Sequence, residues 1–367
     1  MQQPAVDAAA LEDLLRAAVA APSIHNTQPW RFRLDLAHLT VEVGAAPGRA
    51  LPLADSDGRA VHLSVGAAVF NLRTAVAHHG WRPVTRLLPE PDRPEVLAAV
   101  HLAGAPHAPG GDGNSNRKGN GYGNGRYDGR DLYESIWLRH SSRMPFTEQP
   151  VPQPVLDELV RAAESEQADL ILPGRGESAR LLAITADAER RNNGDPARRA
   201  ETASWCAPGR HPDPGHGIPP AAMGVMDAGA QLPMRDFTGR LDGPPRPAAC
   251  FERDPQLLLL STRQDRPVDW LRAGQAMQKV LLVLTARELV ASFLHQALEW
   301  HDLRWLLRDP HAGLCHPQVL LRIGYGPVGA VTPRRAPLET VNGAEHPQVG
   351  KVDHAGTYGP VLAPAGR

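Results

Sequence analysis

Four polar side chains lie close together near the N-terminus, in the stretch "APSIHNTQPWRFRLDL", residues 21–36. They are Ser23, His25, Asn26 and Gln28. Hydroxyl and amide groups in a turn, together with its backbone N–H groups, can hydrogen-bond a flat polar ligand. The alternative is that Ser23 and Asn26 only satisfy the backbone of the turn itself. Local pattern leaves both interpretations open.

The flanking residues predict which elements hold this turn. Residues 8–21 place leucine and alanine at three- and four-residue spacing, which predicts an amphipathic helix that ends at Pro22. Residues 30–36 alternate apolar and polar side chains, which predicts a half-buried strand, with residues 39–43 as its hairpin partner. Residues 22–29 are then a helix-to-strand turn, in which Pro29 predicts an extended Gln28.

Composition excludes several classes of protein. The chain has 367 residues and a formal net charge of -1, which argues against a nucleic-acid or membrane-surface partner. Its three cysteines have no CxxC spacing, so neither a metal site nor a disulfide framework is predicted, and a cytoplasmic location fits. The N-terminus lacks a basic region followed by an apolar run, and the most apolar stretch, residues 280–294, contains two charges and is predicted to be a buried helix.

Two polar regions divide the chain. Residues 103–130 are rich in Gly and Asn and predict a disordered linker between a first unit, residues 1–102, and a second, residues 131–367. Residues 190–250 are polar, with only short helical patches predicted, and are too long for an ordinary loop. We therefore predict a lid-like insertion in the second unit.

An internal repeat relates the two units. Residues 55–81 and 262–290 each run from an Asp to a Gly nine positions later, Gly66 and Gly274, and each then continues as an apolar helix. Residues 151–172 repeat the helix-then-strand pattern of residues 8–36 without its polar turn. A tandem duplication with specialised halves follows.

Three segments together resemble the nitroreductase superfamily. Residues 21–32, "APSIHNTQPWRF", resemble its PSxxNxQPW segment, residues 138–146, "LRHSSRMPF", resemble its RHS segment, and residues 317–341 resemble its closing strand and basic tail. Two such halves in one chain resemble the Acg-like branch. The resemblance implies an α+β fold, a tandem pseudo-dimer with central mixed β-sheets flanked by helices. Ordinary nitroreductases bind FMN between two subunits, so one chain would here be sufficient, although a homodimer is possible.

The resemblance also implies which residues bind FMN. One set of residues would bind the phosphate through charge-assisted hydrogen bonds, each worth roughly 1.5–3 kcal/mol. A second set would contact the ring. The phosphate set is Arg139, His140, Ser141 and Arg143, with Arg335 and also Arg334 from the tail. The ring set is Pro22, Ser23, Ile24 and Asn26. The alternative interpretation of each run of basic residues is a solvated surface segment.

A glycine motif near the C-terminus is typical of a different fold, the dinucleotide-binding fold. Gly324, Gly326 and Gly329 satisfy GxGxxG after an apolar strand, but Pro327 and later prolines prevent the helix that a dinucleotide fold requires. We predict that these glycines turn the chain into the tail.

The sequence is consistent with two functions. In the first, the resemblance implies an oxidoreductase that passes electrons from NAD(P)H through FMN to a nitroaromatic, quinone or similar small-molecule acceptor, with no protein catalytic residue. In the second, the protein stores FMN beneath a closed lid. A flavin-consuming enzyme like the benzimidazole-forming branch fits less well, because that branch lacks the fused, lidded layout.

Overall fold

The structure is a computed structural model that describes residues 7–46, 48–104, 126–127, 130–206, 215–239, 246–308 and 315–341. Most of the predicted linker and parts of the predicted insertion, residues 207–214 and 240–245, lie outside the described residues. The unit boundaries given above stay predictions.

The first repeat is a four-stranded antiparallel sheet that packs on one long helix, and the N-terminal helix packs on that helix. Its strands are β1 (Trp30–Asp35), β2 (Thr40–Ala45), β3 (Arg82–Leu87) and β4 (Val96–Ala103), in the sheet order β1-β2-β4-β3. Leu14 and Leu15 of the first helix are buried, and the Asp7 carboxylate accepts a hydrogen bond from Ala10 N at 2.7 Å to cap that helix. The helices are α1 (Ala8–Val19) and α2 (Arg59–His78). The predicted helix, turn and hairpin are all present.

The second repeat follows three short connecting elements, β5 (Arg126–Tyr127), β6 (Arg130–Asp131) and α3 (Tyr133–Leu138). Its elements are α4 (Gln153–Glu164), β7 (Asp169–Ile171), α5 (Arg175–Gly194), α6 (Pro196–Cys206), β8 (Met226–Asp227), β9 (Ala248–Ala249), β10 (Gln256–Thr262), α7 (Pro267–Ala286), β11 (Val290–Phe293), α8 (His301–Leu306) and β12 (His316–Gly324). Its main sheet has the order β7-β10-β12-β11. Short 3-10 helices span Ile24–Asn26, Pro220–Ala222, Gln296–Glu299 and Pro337–Thr340.

The two repeats share one topology. In each, the strands of the main sheet lie in the order first, second, fourth, third, and a 20-residue helix follows the second strand. These two helices, α2 and α7, cross where Gly66 meets Gly274. A Cβ on Gly66 would lie 2.3 Å from the Leu271 carbonyl oxygen, and one on Gly274 would lie 2.2 Å from that of Leu63. The repeated glycine thus permits close packing of the halves, and the predicted α+β tandem fold is confirmed.

The prediction of mixed sheets needs correction. Both main sheets are antiparallel throughout their described strands. Parallel pairing is confined to β8 with β9 and to isolated bridges, Phe32 with Val341 and Ser141 with Ala291. The first of these bridges attaches the C-terminal tail to the sheet of the first repeat.

One described helix, α2, is long and apolar enough to cross a membrane, but 89% of its apolar window is buried within the protein. The apolar stretch predicted as one buried helix, residues 280–294, is instead the end of α7, a turn, and β11. Its two charges, Arg287 and Glu288, lie in that turn.

The predicted insertion contains more helix than expected. α5 and α6 extend through residue 206, and an irregular segment with one 3-10 turn occupies residues 215–239. Trp205, Ile218 and Phe237 join a small apolar core with Leu51 and Ala54 of the first repeat. The insertion therefore packs against the loop that precedes α2.

Candidate functional site

A cavity lies between the repeats, with an empty volume of about 970 Å³ that includes space open to solvent. Nine of the ten predicted site residues line it. They are Pro22, Ser23, Ile24, Asn26, Arg139, His140, Ser141, Arg143 and Arg334. The structure thus brings together segments that are more than 300 positions apart in the sequence.

The polar turn has an unusual backbone. His25, Asn26 and Gln28 have φ values of 47°, 54° and 50°, which non-glycine residues rarely adopt. The Ser23 hydroxyl accepts a hydrogen bond from Gln28 N at 2.9 Å. The predicted extended conformation of Gln28 is therefore wrong, because this hydrogen bond and its side-chain contacts hold the residue in a tight turn before Pro29.

The side chains of this turn bind the insertion and the tail. Asn26 Nδ2 donates to the carbonyls of Gly217 at 3.0 Å and Pro333 at 2.9 Å. Gln28 Nε2 donates to the Gly215 carbonyl at 2.5 Å, and its Oε1 accepts from Arg335 N at 2.9 Å. These amides bond to the insertion and the tail and not to the backbone of the turn itself, and they position one wall of the cavity.

Two guanidinium groups converge beside this wall. Arg139 Nη2 and Arg334 Nη2 each donate to the Ala20 carbonyl, both at 3.3 Å. Neither has a carboxylate within 4.0 Å among the described residues. Burial lowers the pKa of Arg139 to about 10, and burial with the nearby Arg139 charge lowers the pKa of Arg334 to about 9. Burial followed by these two charges also lowers the pKa of His140. This end of the cavity, formed by Arg139, Arg334 and His140 and called the anion pocket below, is positively charged and has no counter-ion from the described part of the chain.

The predicted arginines divide into different roles. Arg143 Nη1 donates to the Ala222 carbonyl at 2.8 Å, and its guanidinium lies 4.8 Å from the centre of the Phe237 ring. It therefore contacts the insertion. Arg335 Nη2 donates to the Glu339 carbonyl at 2.7 Å, and this residue is absent from the cavity wall. Of the two predicted tail arginines, the structure places Arg334 on the cavity wall and Arg335 outside it.

The tail reaches the site by passing closely over residues 139–146. A Cβ on Gly329 would lie 1.9 Å from the Ser141 carbonyl oxygen, and Ser142 Oγ donates to the Pro327 carbonyl at 2.6 Å. No helix begins in the described residues between Gly324 and Ala336. The glycines thus carry the chain from β12 into the tail, as predicted.

A second polar group lies on the cavity wall, outside the ten residues predicted to bind FMN. It consists of His25, Arg235, His295, Gln296 and Glu299. Arg235 and Glu299 form a bidentate ion pair, with Nη2 and Oε2 3.2 Å apart. Burial raises the pKa of Glu299, although Arg235 opposes the shift. The only sequence signal for Arg235 was the run "PMRDF", residues 233–237, within an otherwise polar segment.

His25 is enclosed without a hydrogen-bond partner. Neither ring nitrogen has one among the described residues, and the ring meets Phe237 edge-on with centroids 5.9 Å apart. Burial, followed by the charges of Arg235, His295 and Arg143, lowers its pKa well below 6.5. His25 is therefore neutral at pH 7.

Apolar side chains from both repeats complete the wall. They are Ala60, Leu63, Ile218, Met277, Phe293 and Val319. Within the described part of the chain, no group of three or more His, Cys, Asp or Glu side chains could hold a metal ion. The site combines an anion pocket, an apolar slot and a second polar end.

No protein-family model matches the chain. Two Mycobacterium tuberculosis proteins are similar along almost their entire length. Rv3131, provisionally named an NAD(P)H nitroreductase, is 30% identical over 346 residues, which cover 92% of this chain and 93% of that protein. Rv3127, named as uncharacterized, is 28% identical over 344 residues, which cover 90% of this chain and 92% of that protein.

Solved structures include more distant matches. A protein from Anabaena variabilis, provisionally described as a nitroreductase, is 13% identical and has a TM-score of 0.46 over 89% of this chain and 90% of that chain. A nitroreductase-like family protein from Bacillus cereus is 18% identical and has a TM-score of 0.33 over 58% of this chain and 94% of that chain.

Proposed function

The chain belongs to the nitroreductase family, as its 30% identity to Rv3131 over nearly all of both proteins shows, and on that premise we propose that it is an FMN-dependent NAD(P)H oxidoreductase. The acceptor is proposed to be a nitroaromatic, a quinone or a similar small molecule. The single observation that carries the proposal is the pair of guanidinium groups, Arg139 and Arg334, that meet at one end of the cavity without a carboxylate.

The residues present fit FMN. Two positive charges on nearby guanidinium groups match a dianionic phosphate, and His140 lies beside them. The apolar slot formed by side chains such as Leu63, Met277 and Val319 accommodates a flat ring. When bound, FMN supplies the redox chemistry. The protein contributes binding, orientation and exclusion of water.

We further propose one FMN per chain. α1 and β1 are separated by residues 20–29, whereas the corresponding α4 and β7 are separated only by residues 165–168. That shorter turn contains Glu166, whose carboxylate lies 2.7 Å from Arg73 Nη1 and 3.5 Å from Lys279 Nζ. The cations beside this turn are therefore paired with an acidic side chain among the described residues, which supports a single phosphate site per chain.

FMN storage is the second candidate, and the position of the insertion favours it. Ile218, Arg235 and Phe237 of the insertion all line the cavity, and Arg143 is bonded to the Ala222 carbonyl. We propose that residues 190–250 act as a lid. A closed lid would limit access of NAD(P)H to the flavin.

Purification followed by denaturation tests the cofactor. We expect a yellow protein that releases FMN. A protein that releases FAD, or one that ignores added FMN, would contradict the proposal. Anaerobic stopped-flow mixing with NADH or NADPH then separates the two functions, because rapid bleaching of the flavin supports the enzyme and no bleaching supports storage.

The cellular setting is also a proposal. A net charge of -1 and three cysteines without paired spacing favour a cytoplasmic protein without nucleic-acid or membrane partners. Since both repeats of one chain line the cavity, a monomer is sufficient to form the site, and a homodimer is compatible with it.

A further inference from the structure

Arg59 anchors a histidine at the second polar end of the cavity. It lies in the first turn of α2 and is 5% exposed. Its Nη1 donates to the Gln318 carbonyl at 2.8 Å and its Nη2 to the Leu298 carbonyl at 3.1 Å. The same Nη2 lies 3.3 Å from Nε2 of His295. The guanidinium is therefore held in place by two backbone carbonyls while it contacts the imidazole.

This contact fixes the tautomer of His295. A guanidinium has only donors, so Nε2 of His295 must accept the hydrogen bond. In a neutral imidazole the proton then resides on Nδ1. Burial, followed by the charges of Arg59, Arg235 and Arg304, lowers the pKa of His295 well below 6.5, so the neutral form prevails at pH 7.

The free Nδ1–H group faces the cavity. His295 lines the cavity, and its Nδ1 has no hydrogen-bond partner in the described part of the chain. The ring nitrogens of His25 are sealed from solvent, whereas Nδ1 of His295 is not among the enclosed unpartnered atoms. The donor belongs to the second polar group of the cavity wall, whereas Arg139 and Arg334 meet at the Ala20 carbonyl.

We propose that His295 donates a hydrogen bond from Nδ1 to an acceptor atom on the isoalloxazine ring of FMN, and that Arg59 is the positioning residue that fixes this donor. The inference rests on the proposed function, because it requires bound FMN. With the phosphate held at the Arg139 end, the ring is the part of FMN left to occupy the rest of the cavity.

The donor should favour the reduced flavin. Reduction makes the ring more electron-rich, so a hydrogen bond to one of its acceptors strengthens. One neutral hydrogen bond corresponds to a preference for reduced over oxidised FMN of about 10-fold, or about 30 mV for a two-electron couple. The effect should appear in the midpoint potential and should not depend on turnover.

The test compares the midpoint potential of bound FMN in wild type, His295→Leu and His295→Asn, measured against a reference dye. We expect the leucine variant to lower the potential by about 30 mV. Asparagine places an amide N–H near the former Nδ1 position, so it should restore most of the potential. His301→Asn is the matched control, because His301 is 69% exposed and pairs with Asp57 at the surface. Equal potentials in wild type and His295→Leu would overturn the inference.

The tautomer is tested separately by ¹⁵N NMR of labelled histidine in the apo protein. We expect Nδ1 of His295 to be protonated at pH 7, and Arg59→Met to give a mixture of tautomers. A protonated Nε2 in the wild type would overturn the inference and would leave the proposed function unaffected. Failure of the wild type to bind FMN would instead defeat the proposed function, while the tautomer result would still stand.

Discussion

Replacing Arg139 by methionine separates binding of the phosphate from folding of the protein. Burial lowers the pKa of Arg139 to about 10, and each pKa unit below the ordinary value costs about 1.4 kcal/mol. The charge thus disfavours the folded apo protein by about 3 kcal/mol. Methionine keeps much of the side-chain volume and removes this cost, as is often seen when buried charges are replaced.

Two opposite effects are expected from Arg139→Met. The apo protein should become more stable, by about 1–3 kcal/mol after allowance for the lost contact with the Ala20 carbonyl. FMN affinity should fall by about 10-fold to 100-fold, because one charge-assisted hydrogen bond worth roughly 1.5–3 kcal/mol is lost. Urea unfolding of the apo protein measures the first effect, and quenching of FMN fluorescence during titration measures the second.

The tail supplies a matched control. Arg335→Met changes a guanidinium that contacts the Glu339 carbonyl and does not line the cavity, so FMN affinity should stay within about twofold. If Arg139→Met destabilised the apo protein and left FMN affinity unchanged, Arg139 would be a structural residue and the anion pocket would be refuted. A strong loss of affinity in Arg335→Met would restore the original tail assignment.

Four further outcomes follow from the structure. Fluorescence titration of apo protein should reach its end point at one FMN per chain, and an end point at two would contradict the single anion pocket. Gly66→Ala should lower the free energy of unfolding in urea by about 1–3 kcal/mol, since the new Cβ would lie 2.3 Å from the Leu271 carbonyl oxygen; Gly174→Ala, with nothing within 4 Å, is its control. Phe237→Ala should increase quenching of bound FMN by acrylamide if the insertion covers the site, and equal quenching would argue against a lid. Below pH 6.5 the unfolded chain takes up a proton that buried His25 resists, so His25 should lower apo stability by up to about 1.4 kcal/mol per pH unit, in addition to the contribution of His295, and His25→Gln should remove the His25 part of that slope in urea unfolding at pH 5–7.

Local pattern in the sequence predicted the main elements, and the family resemblance predicted the residues of the main site. The three- and four-residue spacing of Leu11, Leu14, Leu15 and Ala18 predicted α1, and the alternation after Trp30 predicted β1, because helix and strand periodicities follow from burying one face. The repeated glycines, Gly66 and Gly274, indicated the duplication. The arginines of residues 139–143 and the residues of the polar turn were identified through resemblance, and the structure places them around one cavity.

Only the tertiary structure decided which of the two adjacent tail arginines faces the site. Consecutive residues of an extended tail point to opposite sides, so the choice between Arg334 and Arg335 depends on how the tail is anchored. The bridge from Val341 to Phe32 and the hydrogen bond from Arg335 N to Gln28 fix that anchoring. No local pattern encodes these long-range contacts.

The tertiary structure likewise decided which residues form the second polar end of the cavity. Arg235 lies in the insertion, and His295 follows β11. Arg59, which fixes the tautomer of His295, is the first residue of α2 in the other repeat. A lone histidine has no local signature of its protonation state, because its tautomer and pKa depend on the partners that folding brings to it. The sequence determined that the chain carries groups able to bind an anion, and the packing of one repeat on the other determined where those groups meet.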